Sequence, residues 1–517
     1  MKIIATSFAT QQLLILTPSL ILILISLVFY LKNKISIAVV FLILGALGLR
    51  LFMTVLDPFL NEWDERYHAL VAKNMMQHPF TPTLWPKAIL PYDYKEWCCN
   101  YYWVHKQPLF MWQMALSMKI FGVNEVAMRL PSAILNTLQV LLTFRIGSLL
   151  YNKKLGYLAA FLITFSYFGL EQVSGSMGRE HNDVAFYCYL TASFWALAEF
   201  LQKPKSIYLI GIGVFSGLAV LNKWLVGLLV YAGWFWGALL SRKNYWFHLQ
   251  KMILAGFITV LVFLPWQLYI FAKFPLESAY EFAFNRRHIW EVLDGHGGDT
   301  WYYFTNNYIL YGEWSWVFIL TGMTFFITKI KSSVFKLAII PALITIYAFF
   351  TIAKTKFVSF VFISVFVFIF LAMILLVVEN ALLKYIPKFS KASLLILLIL
   401  AGFYTFRHWE IESYHARSQP NYFGYGPERK GRIRDAQTLR NLGKQLPSDY
   451  LIFNTTQPIE VMFYTNNIAY FWLGPEDYRK LKKEGYRMAA MKTPDHPIPY
   501  YLEQDTCVRI LDLGLKN

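Results

Sequence analysis

The sequence predicts a polytopic α-helical membrane protein of about twelve spans, ending in a small α/β unit. Three observations predict it. Of 517 residues, 57% are hydrophobic and only 15% are charged, whereas soluble domains run near 45–50% and about 25%. Apolar stretches long enough to cross a bilayer, about 17–25 residues each, follow one another along most of the chain. The basic residues gather in the short gaps between those stretches, as cytoplasmic loops do.

Spans are expected at 12–31, 35–56, 128–150, 155–172, 184–201, 206–221, 224–240, 252–273, 305–328, 334–352, 357–379 and 392–408. The first is too long for a signal peptide and lacks a small-residue cleavage site. Lys32 and Lys34, Lys153 and Lys154, Lys203 and Lys205, and Arg242 and Lys243 fall on one side if the spans alternate. Lys329 and Lys331, and then Lys384, Lys388 and Lys391, fall on that side too, which makes it cytoplasmic. The opposite, exoplasmic side holds the segments 57–127, 173–183 and 274–304, the Lys354–Lys356 turn and the tail. Residues 107–127 carry apolar side chains at helical spacing with a few polar ones, which predicts a helix lying in the interface. Such a helix would hold Lys106 near headgroup depth.

The chain is therefore expected to divide into a transmembrane domain, 1–408, and a soluble exoplasmic α/β domain, 409–517. In the tail, Leu451–Asn454 and Ile468–Leu473 read as strands. Pro458–Tyr464 and Pro475–Glu484 read as helices with Pro in the first turn.

The net charge of +17 could point to nucleic acid, but most of the Lys and Arg are explained by topology, so no nucleic-acid partner is expected. The four cysteines form no CxxC or metal spacing: Cys98 and Cys99 are adjacent, and Cys188 and Cys507 stand alone. No metal site is assigned.

Candidate chemistry collects at span ends on the exoplasmic side. Residues 61–68 place Asp64 and Glu65 directly after a span, where ionisable groups are costly and often functional. Favourable interaction with a helix N-terminus explains them equally well. Asp183 opens a span and could simply cap its helix. Lys106, beside His105, could snorkel from an interfacial helix. Arg286 and Arg287, with His288, could contact lipid phosphates without specificity. His296 sits in a glycine-rich stretch and reads as a loop residue, while Lys223 interrupts a pair of spans. Each has an ordinary explanation alone; their placement on one face favours a site.

The order of several motifs then resembles a known group. Asp64-Glu65-Arg66-Tyr67, Lys106-Gln107-Pro108-Leu109 and Arg129-Leu130-Pro131-Ser132-Ala133 come first. Gly217 to Lys223, Pro265-Trp266, His296 before Trp301-Tyr302-Tyr303, and Lys354-Thr355-Lys356 follow. Over roughly residues 50–370 this pattern resembles the GT-C glycosyltransferases, nearest to the lipid A aminoarabinose transferases and the protein O-mannosyltransferases. The resemblance implies the GT-C fold and a polyprenyl-phosphate (undecaprenyl-phosphate) sugar donor. It also implies work on the exoplasmic face of the bacterial cytoplasmic membrane. Asp64 would be the catalytic carboxylate, with Glu65 as a supporting neighbour and Asp183 as the second acidic motif. Lys106 would contact the carrier phosphate, with His105, Arg286 or Arg287, His296 and Lys223 around the substrate. His105 and Gln107 depart from the usual pattern, as does the added N-terminal span. The acceptor stays open among lipid A, another glycan and protein. The resemblance allows a divalent cation between the acidic motifs, but oxygen ligands are too few here to assign one.

The expected reaction is a single displacement with inversion, because one base and no nucleophile are in view. The competing reading is a transporter or flippase of a lipid-linked anionic substrate. That class should show repeats and charges near the midplane, and no matching halves are found. A non-catalytic relative that only binds polyprenyl lipids is a third reading.

Overall fold

The computed structural model describes residues 9–175, 181–242, 244–406, 429–493 and 496–515. Among these, eight apolar helical stretches are long enough to cross a membrane. They are Thr10–Leu31, Ile35–Thr54, Glu125–Leu150, His181–Gln202, Ser206–Ser241, Tyr245–Lys273, Val334–Ile352 and Ser364–Tyr385. Shorter apolar helices run Leu109–Phe121, Ser315–Lys329 and Ser390–Phe406.

The spans expected at 206–221 and 224–240 form as two helices, whereas two other expected spans are built differently. The stretch Ser206–Ser241 is a hairpin: the helix Ser206–Lys223 ends in a 3₁₀ turn, Trp224–Leu228, and the helix Leu229–Ser241 follows. Ser216 Oγ donates to the Gly227 carbonyl at 2.7 Å, so the chain folds back there, as two spans require. The span expected at 155–172 is two helices, Lys153–Thr164 and Tyr167–Ser174. Ser166 breaks it by accepting from the Gly169 N–H at 3.4 Å, a cap that starts a new helix. The span expected at 305–328 becomes two single turns, Tyr302–Thr305 and Tyr308–Tyr311, before the helix Ser315–Lys329. The expected interfacial helix at 107–127 is Leu109–Phe121, with Phe110, Met111, Met114 and Met118 buried.

The sheet near the C-terminus has four parallel strands in the order β2-β1-β3-β4. They are β1 (Tyr450–Phe453), β2 (Ile468–Ala469), β3 (Arg487–Lys492) and β4 (Val508–Asp512). The expected helices at 458–464 and 475–484 form as Pro458–Tyr464 and Pro475–Lys483, and a further helix, Arg429–Gln445, precedes the sheet. Successive strand residues point to opposite faces. Leu451 and Phe453 pack with Tyr478, Leu481 and Leu502 on one face. Ile452 and Ala489, on the other, share a core with Leu70 of the helix Asp64–Met75 and with Met114 and Met462. The sheet unit is thus seated directly on the helix that follows Trp63. The domain boundary expected at 408/409 lies outside the described residues.

Polar ties reinforce that seat. Lys73 Nζ donates to the carbonyls of Met462 (2.7 Å), Phe463 (3.0 Å) and Thr465, capping the C-terminal end of the helix Pro458–Tyr464. Trp85 Nε1 donates to Ala469 O at 3.1 Å, and Arg440 pairs with Glu125 at the start of a membrane helix. The helix Asp64–Met75 is held from both sides.

Candidate active site

The helix Asp64–Met75 begins with two carboxylates, which its N-terminal dipole favours. Neighbouring helix residues do not share a face, and here they part company. Asp64 points to a partly open position, 23% exposed, where its Oδ1 lies 3.6 Å from Lys106 Nζ, itself 19% exposed. Glu65 points inward and is 2% exposed. Two segments 42 residues apart in sequence therefore bring a carboxylate and an ammonium together.

Glu65, expected as the supporting neighbour of Asp64 in the first acidic motif, is enclosed. Arg129 grips it in a fork, Nε to Oε1 at 2.7 Å and Nη2 to Oε2 at 2.8 Å. His181 Nε2 lies 3.0 Å from Oε1, and the Asn61 N–H donates to Oε2 at 2.6 Å. Burial alone would raise this carboxyl, but the charge and hydrogen bonds of Arg129, with His181, bring it down to about 2. A buried, fully bonded carboxylate has no oxygen left for a substrate.

Arg129 also ties the chain ahead of Asp64. Its Nη1 donates to Thr54 O (3.2 Å) and Asp57 O (2.6 Å), and its Nη2 to Phe59 O (2.7 Å). Gly175 completes the enclosure: its φ is +67°, and a Cβ there would strike Glu65 Oε1 and His181 Nε2. Arg179 and Glu180, in the loop read from the sequence, lie outside the described residues.

Asp183, two residues after His181, is buried and paired with Lys223. Lys223 Nζ also lies 4.6 Å from the centre of the Phe360 ring. The cation assigned to substrate is thus held by the second acidic motif, at the turn of the Ser206–Ser241 hairpin.

The other cations divide. His105 Nδ1 lies 2.9 Å from Glu281 Oε2, and its ring stacks on Trp97 at 5.4 Å, so it anchors the segment before Lys106. Arg287 pairs with Glu291, Nη2 to Oε2 at 2.7 Å. Arg286, in the last turn of the helix Pro275–Arg287, is exposed and has no side-chain hydrogen bond or ion pair among the described residues. It is the available guanidinium of the two. His288 is half-buried, and burial lowers its imidazole below the ordinary 6.5; Lys106, His105 and Arg287 add to this while Asp294 opposes it. His296 is exposed, with its ring 4.1 Å from that of Phe357. Its carbonyl accepts from the Lys356 N–H at 2.8 Å, which pins the loop to the Lys354–Lys356 turn.

Sequence reasoning assigned no role to Arg129, His181 or Lys73. Arg129 had a signal: an arginine just inside an apolar span must find a partner. Among the described residues, no three His, Cys, Asp or Glu side chains converge to hold a metal ion.

Comparison with known proteins bears on this arrangement. Residues 105–269 match the family described as dolichyl-phosphate-mannose-protein mannosyltransferase. An undecaprenyl phosphate-alpha-4-amino-4-deoxy-L-arabinose arabinosyl transferase 2 of Pseudomonas fluorescens strain Pf-5 is 29% identical over 193 residues, 34% of this chain and 30% of the relative. Its namesake from strain Pf0-1 is 26% identical over 207 residues, 37% of this chain and 35% of the relative. The match thus spans about a third of the length of these curated relatives. Among solved structures, ArnT from Cupriavidus metallidurans bound to undecaprenyl phosphate aligns with a TM-score of 0.60 and 14% identity, covering 86% of this chain and 88% of that one. The oligosaccharyltransferase AglB from Archaeoglobus fulgidus, in complex with an inhibitory peptide and a dolichol-phosphate, aligns at 0.54 and 14% identity, covering 83% and 63%. The chain has the GT-C fold.

Proposed function

We propose that this GT-C chain is an inverting glycosyltransferase that moves a sugar from a polyprenyl-phosphate carrier to an envelope acceptor, whether lipid A, another glycan or protein. The observation that carries the reading is the Asp64–Lys106 pair, 3.6 Å apart and partly open above the buried Arg129–Glu65 clamp. We place this face, and the sheet unit with it, on the exoplasmic side of the bacterial cytoplasmic membrane. The basic gaps between spans support that orientation.

The chemistry follows from the charges. Breaking the anomeric C–O bond leaves a phosphate monoester on the carrier, and the negative charge that builds on its oxygen needs cations. Lys106 and Arg286 supply them. The acceptor hydroxyl or amine attacks the anomeric carbon from the opposite face, and its proton passes to Asp64. No protein nucleophile takes part, so the configuration inverts. His288, held toward its neutral form, offers a hydrogen bond and adds no charge. Glu65 and Arg129 fix the helix start so that Asp64 keeps its direction.

The test is mass spectrometry of envelope glycans and polyprenyl lipids from cells carrying the wild type or Asp64→Asn. We expect the variant to lose one glycan mass and to accumulate one lipid-linked sugar. Full glycan in the variant would remove Asp64 from the base role. The transporter reading gains nothing from the relatives, whose names are those of transferases.

A further inference from the structure

Residues 97–99 form a turn in the segment that leads to Lys106. The N–H groups of Cys99 and Asn100 close it, both donating to the Glu96 carbonyl at 2.9 Å. In an extended chain, neighbouring side chains would point to opposite faces. Here the turn brings Cys98 and Cys99 together, with their Sγ atoms 3.0 Å apart. Cys98 is half-buried, Cys99 is exposed, and both line a cavity of about 380 Å³ beside the sheet unit.

Two chemistries use a pair of thiols. A structural metal ion asks for four ligands, and among the described residues no third His, Cys, Asp or Glu side chain joins this pair to hold one. Thiol–disulfide exchange asks for a reachable thiolate with a second thiol beside it. The turn supplies both. A hydrogen bond from the Cys99 thiol brings Cys98 down to about 7, against burial and Glu96, and the same bond raises Cys99. Cys98 is thus the attacking sulfur and Cys99 the resolving one.

The exchange balances with one external disulfide. The Cys98 thiolate attacks one of its sulfurs, the S–S bond breaks, and a first thiolate leaves. Cys99 then gives up its proton and attacks the Cys98 sulfur of the mixed disulfide, which releases a second thiolate. Two cysteine thiols are oxidised, and the external disulfide is reduced to two thiols. The product ring is tight. Adjacent Cα atoms lie about 3.8 Å apart, short of the roughly 4.4–6.8 Å usual for a disulfide, so the bond is strained and readily reduced again.

The turn also touches the candidate site. The Trp97 ring stacks on that of His105 at 5.4 Å and meets the Tyr67 ring edge-on at 4.9 Å. The Trp97 carbonyl accepts from Trp103 Nε1 at 2.8 Å. Trp97 therefore links Cys98 to the residue before Lys106 and to the helix that opens with Asp64.

We propose that Cys98 and Cys99 are a reversible thiol–disulfide exchange site, and that its oxidation displaces Trp97 and weakens the hold of Lys106 on the carrier phosphate. The second half rests on the reading of Lys106 as a donor contact; the first does not.

The test treats the full-length chain in nanodiscs with oxidised or reduced glutathione. Free thiols are then blocked with N-ethylmaleimide, and the tryptic peptide 96–106 is weighed. We expect oxidised glutathione to yield an unlabelled peptide two hydrogens lighter, and reduced glutathione to restore both labels. Cys99→Ser should trap one glutathione on Cys98. Two thiols still labelled after oxidised glutathione, or a link to Cys507 instead, overturns the site. Titration with undecaprenyl phosphate reads the second half. The reduced chain should bind at least fivefold more tightly than the oxidised one, and a Cys98→Ser, Cys99→Ser double variant should ignore glutathione. Equal affinity in both redox states overturns the coupling. A reduced chain with no affinity for undecaprenyl phosphate removes Lys106 from the donor and the coupling with it, while the peptide mass still decides the disulfide.

Discussion

Replacing Arg129 by Met tests whether the clamp under Asp64 is what holds it. The variant keeps the bulk of the side chain and removes five donated hydrogen bonds, two to Glu65 and three to the carbonyls of Thr54, Asp57 and Phe59. Glu65 would remain buried with His181 and the Asn61 N–H. Breaking a buried pair by deleting one partner costs about 3–5 kcal/mol. Proton linkage gives an independent size. Lowering Glu65 from its ordinary 4.5 to about 2 corresponds to about 3 kcal/mol, at about 1.4 kcal/mol per tenfold change in proton affinity. Because the folded value is depressed, that stability is present above about 4.5 and is lost as pH falls toward about 2. In Arg129→Met the sign reverses. Burial, the largest influence on Glu65, then raises its carboxyl, so the variant gains relative to wild type as the solution is acidified. Melting of the purified protein in detergent, followed by gel filtration at pH 7.5 and pH 5, reads both effects. We expect a fall of roughly 5 °C at pH 7.5 that narrows at pH 5, with transfer lost at both. Arg129→Lys should rescue only part, since an ammonium lacks the planar fork. A Met variant melting with the wild type at pH 7.5, or a gap that widens on acidification, would refute the reasoning.

Lys106→Ala and Arg286→Ala should each weaken donor binding roughly 10- to 100-fold, the value of one charge-assisted contact. Arg287→Ala, whose guanidinium is already paired with Glu291, should change it little; titration of the purified chain with polyprenyl phosphate separates the three. Lys223→Met should destabilise the fold by about 3–5 kcal/mol, because it leaves Asp183 buried without its lysine. Adding Asp183→Asn should restore much of the melting temperature, and a double variant as weak as the single one counts against the pair. Lys73→Met removes the donor to three carbonyls of the sheet unit, and trypsin should release a C-terminal fragment roughly tenfold faster. An unchanged rate would show that apolar packing alone seats the unit.

The membrane-spanning part was largely legible because a bilayer imposes a length: helices must be apolar for about 20 residues. It was misread where burial is uniform. Every residue of Tyr167–Ser174 is buried, so hydropathy gave no phase to reveal the break at Ser166. In the sheet unit, β1 carried a visible strand signal, while β3 did not. Its Met-Ala-Ala-Met centre is buried on both faces and shows no alternation. The expected strand 468–473 shortens to two residues because β2 lies at the sheet edge and pairs with β1 alone. At the candidate site, only the motif resemblance set Asp64 apart from Glu65; charge alone could not separate them. Helix phase could have: Glu65 shares a stripe with His68, Ala69 and Ala72, all buried. Arg286 and Arg287 differ only by Glu291, one helical turn beyond Arg287.

The ties between the sheet unit and the bundle have an evolutionary consequence. Arg432 meets Glu62 and Glu460 meets Arg66, either side of Asp64, while Lys73 and the Arg440–Glu125 pair fasten the same seam. A terminal domain attached this way cannot be exchanged as a cassette. A grafted replacement would have to bring matching charges for residues that flank Asp64, or it would leave them unpaired. Change along this seam should therefore come through paired substitutions rather than through recombination of whole domains.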